Sequence, residues 1–68
     1  MKGEIQMRHF LYRDFATGEQ FIVGAYTFAV AEIIANDNFA APVYQDEMTE
    51  FEAEMSGLDE RSHFEAHT

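Results

Sequence analysis

In two stretches near the start of the chain, successive side chains fall on opposite faces of an extended segment. This period of two is that of a β-strand. The first runs from Ile5 to Arg13 and the second from Glu19 to Ala25. Gly18 suits the hairpin loop between them, because glycine adopts positive φ without strain. The alternation places Phe10 and Tyr12 on one face of the first stretch, and Phe21 and Val23 on one face of the second. The pattern predicts a β-hairpin.

A helical stretch follows the hairpin. Thr27 can cap its N-terminus, because a threonine hydroxyl accepts a hydrogen bond from a free amide of the first turn. From Phe28 to Ala35 the apolar residues recur at helical spacing. Pro42 has no amide proton and prevents the helix from continuing that far. Val43 to Gln45 then indicate a short third strand.

A second, shorter helix is predicted from about Glu50 to Ser56. Thr49 and Glu52 match a capping box, in which the threonine bonds forward and the glutamate bonds back. Gly57 suits the left-handed residue that ends a helix. Few apolar residues occur here, so this helix should bury only a thin edge.

These elements predict an α+β fold of ββαβα order in one domain, residues 1–68, with a frayed tail at residues 60–68. A right-handed helical crossover places the third strand beside the first, so the predicted sheet order is 2-1-3. One helix should not be able to bury all four apolar residues on this face of the hairpin, which are Phe10, Tyr12, Phe21 and Val23. We therefore expect Phe10, Tyr12 and Phe21 to lie on a partly open sheet face, covered by the second helix or by a partner. A monomer is expected rather than a dimer.

The charge of the chain is concentrated near its end. Its net charge is −9, and eight of its thirteen acidic residues lie between Asp46 and Glu65, opposed there only by Arg61. Such a chain repels nucleic acid phosphates and anionic lipids, so direct binding to either is not expected. The longest apolar stretch, Ala25 to Ala35, is too short to cross a bilayer, and the N-terminus lacks an apolar signal segment.

The sequence contains no recognisable catalytic or cofactor motif. Ser56 and Ser62 are the only serines and there is no cysteine, so a nucleophile with an oriented base is not indicated. His63 and His67 are four residues apart, but no third or fourth ligand is fixed near them. We expect a protein that is not an enzyme and that holds no cofactor or metal.

The acidic cluster is the strongest functional candidate. At positions i, i+3 and i+7, Glu47, Glu50 and Glu54 would share one helical face. The patch could imitate the closely spaced phosphates of a duplex and fill a Lys- and Arg-lined groove. The alternative is a solvated face of an ordinary acidic protein. The full predicted binding surface, which includes two aromatic anchors, comprises Tyr44, Asp46, Glu47, Glu50, Phe51, Glu52 and Glu54.

The chain is short, acidic and free of cysteine, with a hairpin, a helix entered by Ala25 to Phe28, and an acidic stretch from Glu50 to Glu60. In this it resembles the small proteins of phages and mobile elements, and among them the anti-CRISPR proteins that inhibit type I surveillance complexes. The resemblance implies a partner that is a basic nucleic-acid-binding protein, such as a Cas subunit of a type I complex, in the cytoplasm of a bacterial host. The resemblance suggests a class of mechanism, but it assigns no role to any individual residue.

Two hypotheses follow. The first is a non-enzymatic inhibitor whose acidic face occupies the basic DNA-binding surface of such a complex. The second is a small dimeric structural, adaptor or antitoxin-like phage accessory protein that binds a partner through its open sheet face. Salt dependence separates them, because interactions between exposed charges are screened within about 8 Å at physiological ionic strength.

Overall fold

The computed structural model describes residues 7–62, the last two through their backbone only. The elements, in chain order, are β1 (Arg8–Asp14), β2 (Glu19–Ala25), α1 (Phe28–Asn38), β3 (Pro42–Met48), α2 (Glu50–Ser56) and β4 (Glu60–Ser62). The sheet order is β3-β1-β2-β4, and β1 pairs antiparallel with both β2 and β3. The predicted α+β class, the ββαβα order and the 2-1-3 arrangement of the first three strands are confirmed.

The fourth strand extends the sheet beyond the prediction. Residues 60–62, assigned to a frayed tail, pair in parallel with β2, and the amide of Ile22 donates to the carbonyl of Asp59 at 2.8 Å. This pairing satisfies backbone groups on the outer edge of β2. Glu60 also reaches across Gly24 to the Nδ1 atom of His9, at 2.6 Å, and a Cβ on that glycine would lie 2.7 Å from the Glu60 Oε2 atom. Residues 63–68 lie outside the described residues.

The core lies between α1 and one face of the sheet. Its buried members are Phe10, Tyr12, Phe21, Val23, Ala25, Ala31, Ile34 and Ala35. The hairpin residues expected to be partly open are therefore covered by the chain itself, and that prediction is wrong. The reason is that aromatic residues at the two ends of the helix close the layer: Phe39, the residue after α1, stacks on Phe21 with ring centroids 3.6 Å apart, and Phe28, the first residue of α1, packs edge-on against Phe10 at 5.7 Å.

α1 is longer than its apolar pattern indicates. Its Asn36 and Asn38 side chains each donate, at 2.8 Å, to the backbone carbonyl four residues earlier. The backbone amide of Phe39 then closes the last turn by donating to the carbonyl of Ala35 at 3.0 Å. The extra turn sets the position from which Phe39 reaches Phe21.

A buried carboxylate fixes the start of β3. Asp14 is 4 % exposed, and its Oδ1 atom accepts from the amides of Ala16, at 3.0 Å, and Ala41, at 3.1 Å. The amide of Phe15 returns a bond to the carbonyl of Ala41 at 2.9 Å. These bonds join the hairpin loop, where Gly18 has the expected positive φ of 82°, to the segment that enters β3.

The second face of the sheet is covered in part. Ile22 alternates with the core residues of β2 and so faces away from α1, yet it is fully buried. α2 contacts β1 and β3, and buries Ala53 outside the core cluster. Successive right-handed crossovers that run in opposite directions across a sheet place their helices on opposite faces, so we infer that α2 lies over this second face. Neither helix of residues 7–62 is long and apolar enough to cross a membrane.

Candidate functional site

The predicted acidic face is divided by the strand β3. This strand runs to Met48 and not only to Gln45, so that Asp46 and Glu47 pair with β1. The prediction that Glu47 shares a helical face with the glutamates of α2 is therefore wrong. Long-range strand pairing, absent from the local pattern, decides the conformation of these residues.

Asp46 and Glu47 project to opposite sides of the sheet. Glu47 pairs with Phe10, which lies under α1, and Asp46 pairs with Leu11, which faces the other way. Neighbouring residues of a strand alternate between faces, and paired residues share one. The two carboxylates thus belong to different surfaces of the molecule.

Glu47 is not a free charge. Its two carboxylate oxygens accept from the Nε and Nη2 atoms of Arg8, both at 2.9 Å. The hydrogen bonds and charge of Arg8 hold the pKa of the Glu47 carboxyl below its ordinary value. Arg8 also lies 4.9 Å from the centre of the Phe10 ring. A partner would have to compete with Arg8 for this carboxylate.

Tyr44 stands beside the Arg8–Glu47 pair on the α1 side of β3. It is 40 % exposed, and its ring packs edge-on against Phe28, at 5.0 Å between centroids, and against Tyr12 at 6.0 Å. Phe28 is similarly exposed at 41 %. We call this surface the aromatic edge; it comprises Arg8, Phe28, Tyr44 and Glu47. It contains two of the predicted site residues.

α2 is held at both ends as the sequence predicts. The Thr49 side chain accepts from the amide of Glu52 at 3.1 Å, and the Glu52 carboxylate accepts from the amide of Thr49 at 3.0 Å. Gly57 ends the helix with a φ of 74°. The same carboxylate that was predicted to bind a partner is therefore part of the capping box. The helix itself has a defined position and length.

The side chains of α2 have an unusual arrangement. Ala53 is its buried residue, whereas Phe51 and Met55 are each 70 % exposed. At 3.6 residues per turn, these two lie about 160° around the helix from Ala53 and so point away from the molecule. Carboxylates flank them on both sides. We call this surface the α2 ridge; it comprises Glu50, Phe51, Glu52, Glu54 and Met55.

No basic group among the described side chains pairs with the glutamates Glu50 and Glu54 of the α2 ridge. Among the described side chains the Lys and Arg residues are Arg8, which binds Glu47, and Arg13, which donates to the carbonyl of Gly18 at 2.8 Å. Within the described part of the chain the carboxylates of Glu50 and Glu54 have no hydrogen-bonding or ionic partner. They are available to an external cation.

An open cleft of about 500 Å³ separates the first residues of β1 from the start of α2. Its lining comprises Met7, Arg8, His9, Glu47, Met48, Thr49 and Glu50. The polar groups most suited to chemistry are already engaged: the Thr49 hydroxyl in the helix cap and the Nδ1 atom of His9 with Glu60. No group of three potential metal ligands among His, Cys, Asp and Glu occurs in residues 7–62. His63 and His67 lie outside this range.

The structure brings together only part of the predicted binding surface. Phe51 and the three glutamates of α2 lie on one ridge, Tyr44 and Glu47 lie on the aromatic edge, and Asp46 faces the second side of the sheet. Sequence reasoning missed Met55 as a member of the surface. Its position four residues after Phe51 places both side chains on one face of the helix, but the spacing alone does not show that this face is exposed.

Comparisons of the chain with protein-family models, curated proteins and solved structures gave no significant match.

Proposed function

We propose that this chain is a non-enzymatic inhibitor that binds a basic nucleic-acid-binding protein through the acidic side of the α2 ridge. The specific target suggested by the sequence resemblance is a Cas subunit of a type I CRISPR complex, in the cytoplasm of a bacterial host. In this proposal the chain occupies the groove that would otherwise hold DNA.

The observation that supports the proposal is the pair of exposed carboxylates Glu50 and Glu54, which have no partner among the side chains that the structure describes. They are four residues apart on one helix and therefore lie side by side. Their mutual repulsion is relieved when Lys or Arg side chains approach, and a basic groove is freed of its own counterions at the same time. A surface of this kind favours a cationic partner over a neutral one.

The density of charge on α2 agrees with this reading. Seven helical residues span about 10 Å of helix axis and carry three glutamates, or about one charge per 3.5 Å, with Glu50 and Glu54 on one flank and Glu52, which also bonds in the capping box, on the other. One strand of a duplex carries a phosphate about every 3.4 Å. The match concerns α2 alone, because Glu47 is paired with Arg8 and Asp46 lies on the strand.

The test is DNA binding by a purified type I surveillance complex, measured with increasing amounts of the wild-type chain. We expect the wild type to displace DNA and the charge-reversal variant Glu50→Lys/Glu54→Lys to lose at least tenfold in potency. The matched control is Glu19→Lys/Asp37→Lys, which reverses two exposed carboxylates elsewhere and should keep more of its potency. If the wild type displaces no DNA, the proposed target is wrong. If the charge reversal leaves displacement intact, the proposed surface is wrong.

A second candidate function is that of a structural or adaptor protein that binds through an apolar surface. The face first predicted for this role is buried, but the aromatic edge offers Phe28 and Tyr44, which are in contact and each about two-fifths exposed. Binding through this edge should depend weakly on salt and should be reduced by Tyr44→Ser. A steep loss of affinity with salt would favour the α2 ridge instead.

A further inference from the structure

The α2 ridge exposes apolar side chains that imitation of phosphates does not explain. This chain buries Phe10 and Phe21 almost completely, at 1 % and 2 % exposure, yet leaves Phe51 at 70 %. Phe51 and Met55 lie one turn apart and form a continuous apolar strip along the helix. A protein that only imitated phosphates would gain nothing from such a strip.

We infer that Phe51 and Met55 insert into an apolar pocket of the partner whose rim carries Lys or Arg. This inference rests on the proposed function, since it concerns the same surface, and it adds the chemistry that the partner must present. A purely phosphate-binding groove would leave both apolar side chains facing hydrated cations. The partner pocket must therefore be apolar at its base.

Charge complementarity identifies the occupant as a different, basic protein. A second copy of this chain, docked ridge to ridge, would bring two sets of three glutamates together, and like charges that meet in an interface strongly oppose association. Nucleic acid and anionic lipid are repelled for the same reason. Lys and Arg placed around an apolar pocket would instead meet Glu50 and Glu54 on one flank and Glu52 on the other.

The α2 ridge is also preorganised for binding. The capping box fixes one end of α2, and the left-handed Gly57 fixes the other. A helix that is already formed loses less conformational entropy on binding than a segment that must fold. Aromatic side chains in this setting commonly act as the buried anchors of an interface, with charged residues at the rim. This is the mode in which a helix lies in a groove.

A synthetic probe tests the inference without knowledge of the natural partner. The probe is a peptide designed as an amphipathic helix with leucine on one face and lysine along its borders, and its control is the same composition in scrambled order. Both are titrated into isotope-labelled protein, and the chemical shifts of the backbone amides are followed by NMR. We expect saturable shifts concentrated in residues 50–56 with the ordered peptide, and at least tenfold weaker binding of the scrambled one.

Variants separate the apolar contribution from the charge contribution. We expect Phe51→Ser/Met55→Ser to weaken binding of the ordered peptide at least tenfold. The matched control, Phe15→Ser/Ile33→Ser, removes two residues of similar exposure, 63 % and 60 %, and should bind as the wild type does. Circular dichroism and thermal unfolding verify that each variant is folded.

The outcomes that would contradict the apolar pocket, the basic rim and the assigned surface differ from one another. If only Glu50→Lys/Glu54→Lys weakens binding and the apolar substitutions do not, the apolar pocket is excluded while the acidic inhibitor survives. If only the apolar substitutions weaken binding, the basic rim is excluded and the proposed function loses its basis. Shifts that cluster on the aromatic edge would overturn the assignment of the surface.

Discussion

The two helices of this protein flank the same sheet but bury different amounts of apolar side chain. α1 buries Ala31, Ile34 and Ala35 in a core closed by aromatic rings. α2 buries Ala53 and turns its two largest apolar residues to solvent. A chain of 68 residues has little surface to bury beyond one core. The difference indicates that α1 contributes most to stability, and it agrees with the proposal that α2 serves recognition.

The sharpest test of this division compares two phenylalanines. Phe21 is buried between Tyr12 and Phe39, so Phe21→Ala should cost about 3 to 5 kcal/mol. Since a domain of this size has only about 3 to 5 kcal/mol of stability, the variant should be largely unfolded. Phe51→Ala should change stability by no more than about 0.5 kcal/mol. Urea unfolding followed by circular dichroism measures both, and similar losses would show that α2 is part of the core.

The next largest effect is expected at the carboxylate that joins the hairpin loop to β3. Asp14→Ala removes the acceptor of two backbone amides and should cost about 1 to 3 kcal/mol. Asp14→Asn keeps one oxygen acceptor and should cost less. Glu19→Ala, at an exposed glutamate of β2, serves as the surface control and should lie within about 0.5 kcal/mol of wild type. An equal loss in both alanine variants would mean that Asp14 does not hold the loop.

The helix caps allow a comparison of α1 and α2 under matched chemistry. Thr27 accepts from the amide of Val30 at 3.2 Å, as Thr49 accepts from Glu52 at 3.1 Å. Each Thr→Ala substitution should cost about 1 kcal/mol in urea unfolding. Only Thr49→Ala should also weaken binding of the amphipathic probe, because it loosens the ridge. Equal binding losses would contradict the assignment of separate roles to the two helices.

The smallest expected effect is the loss of stability at acidic pH. Because Arg8 lowers the pKa of Glu47, this pair stabilises the protein above the ordinary carboxyl pKa, and that contribution is lost as the pH falls through the lowered value. The pair is exposed, so the effect should be slight and reduced further by salt. Urea midpoints of wild type and Glu47→Gln should differ at neutral pH and converge in acid. A difference that persists after acidification would exclude the ion pair as its source.

Local chemistry explains which features were predictable from the sequence. The capping box at Thr49 and Glu52 and the left-handed Gly57 each depend on residues within one turn, and both are found as predicted. The order of the first three strands follows from connection rules that depend on little sequence detail. These parts of the fold can be predicted without knowledge of distant contacts.

The features that were missed depend on distant contacts. Glu47 belongs to a strand because β1 pairs with it, and no local pattern reveals that partner. The burial of the hairpin's aromatic face depends on Phe39, which reaches Phe21 only after the asparagines have extended α1. The exposure of Met55 depends on which side of a seven-residue helix meets the sheet. One small buried alanine is too weak a signal to decide this.

Hydrogen exchange of the backbone amides, measured on the chain alone and bound to the purified type I surveillance complex, tests the central claim most directly. We expect exchange to slow in residues 50–56 on binding, while the already protected amides of β1 and β2 change little. Slowing confined to the aromatic edge, with α2 exchanging as in the free chain, would contradict the account.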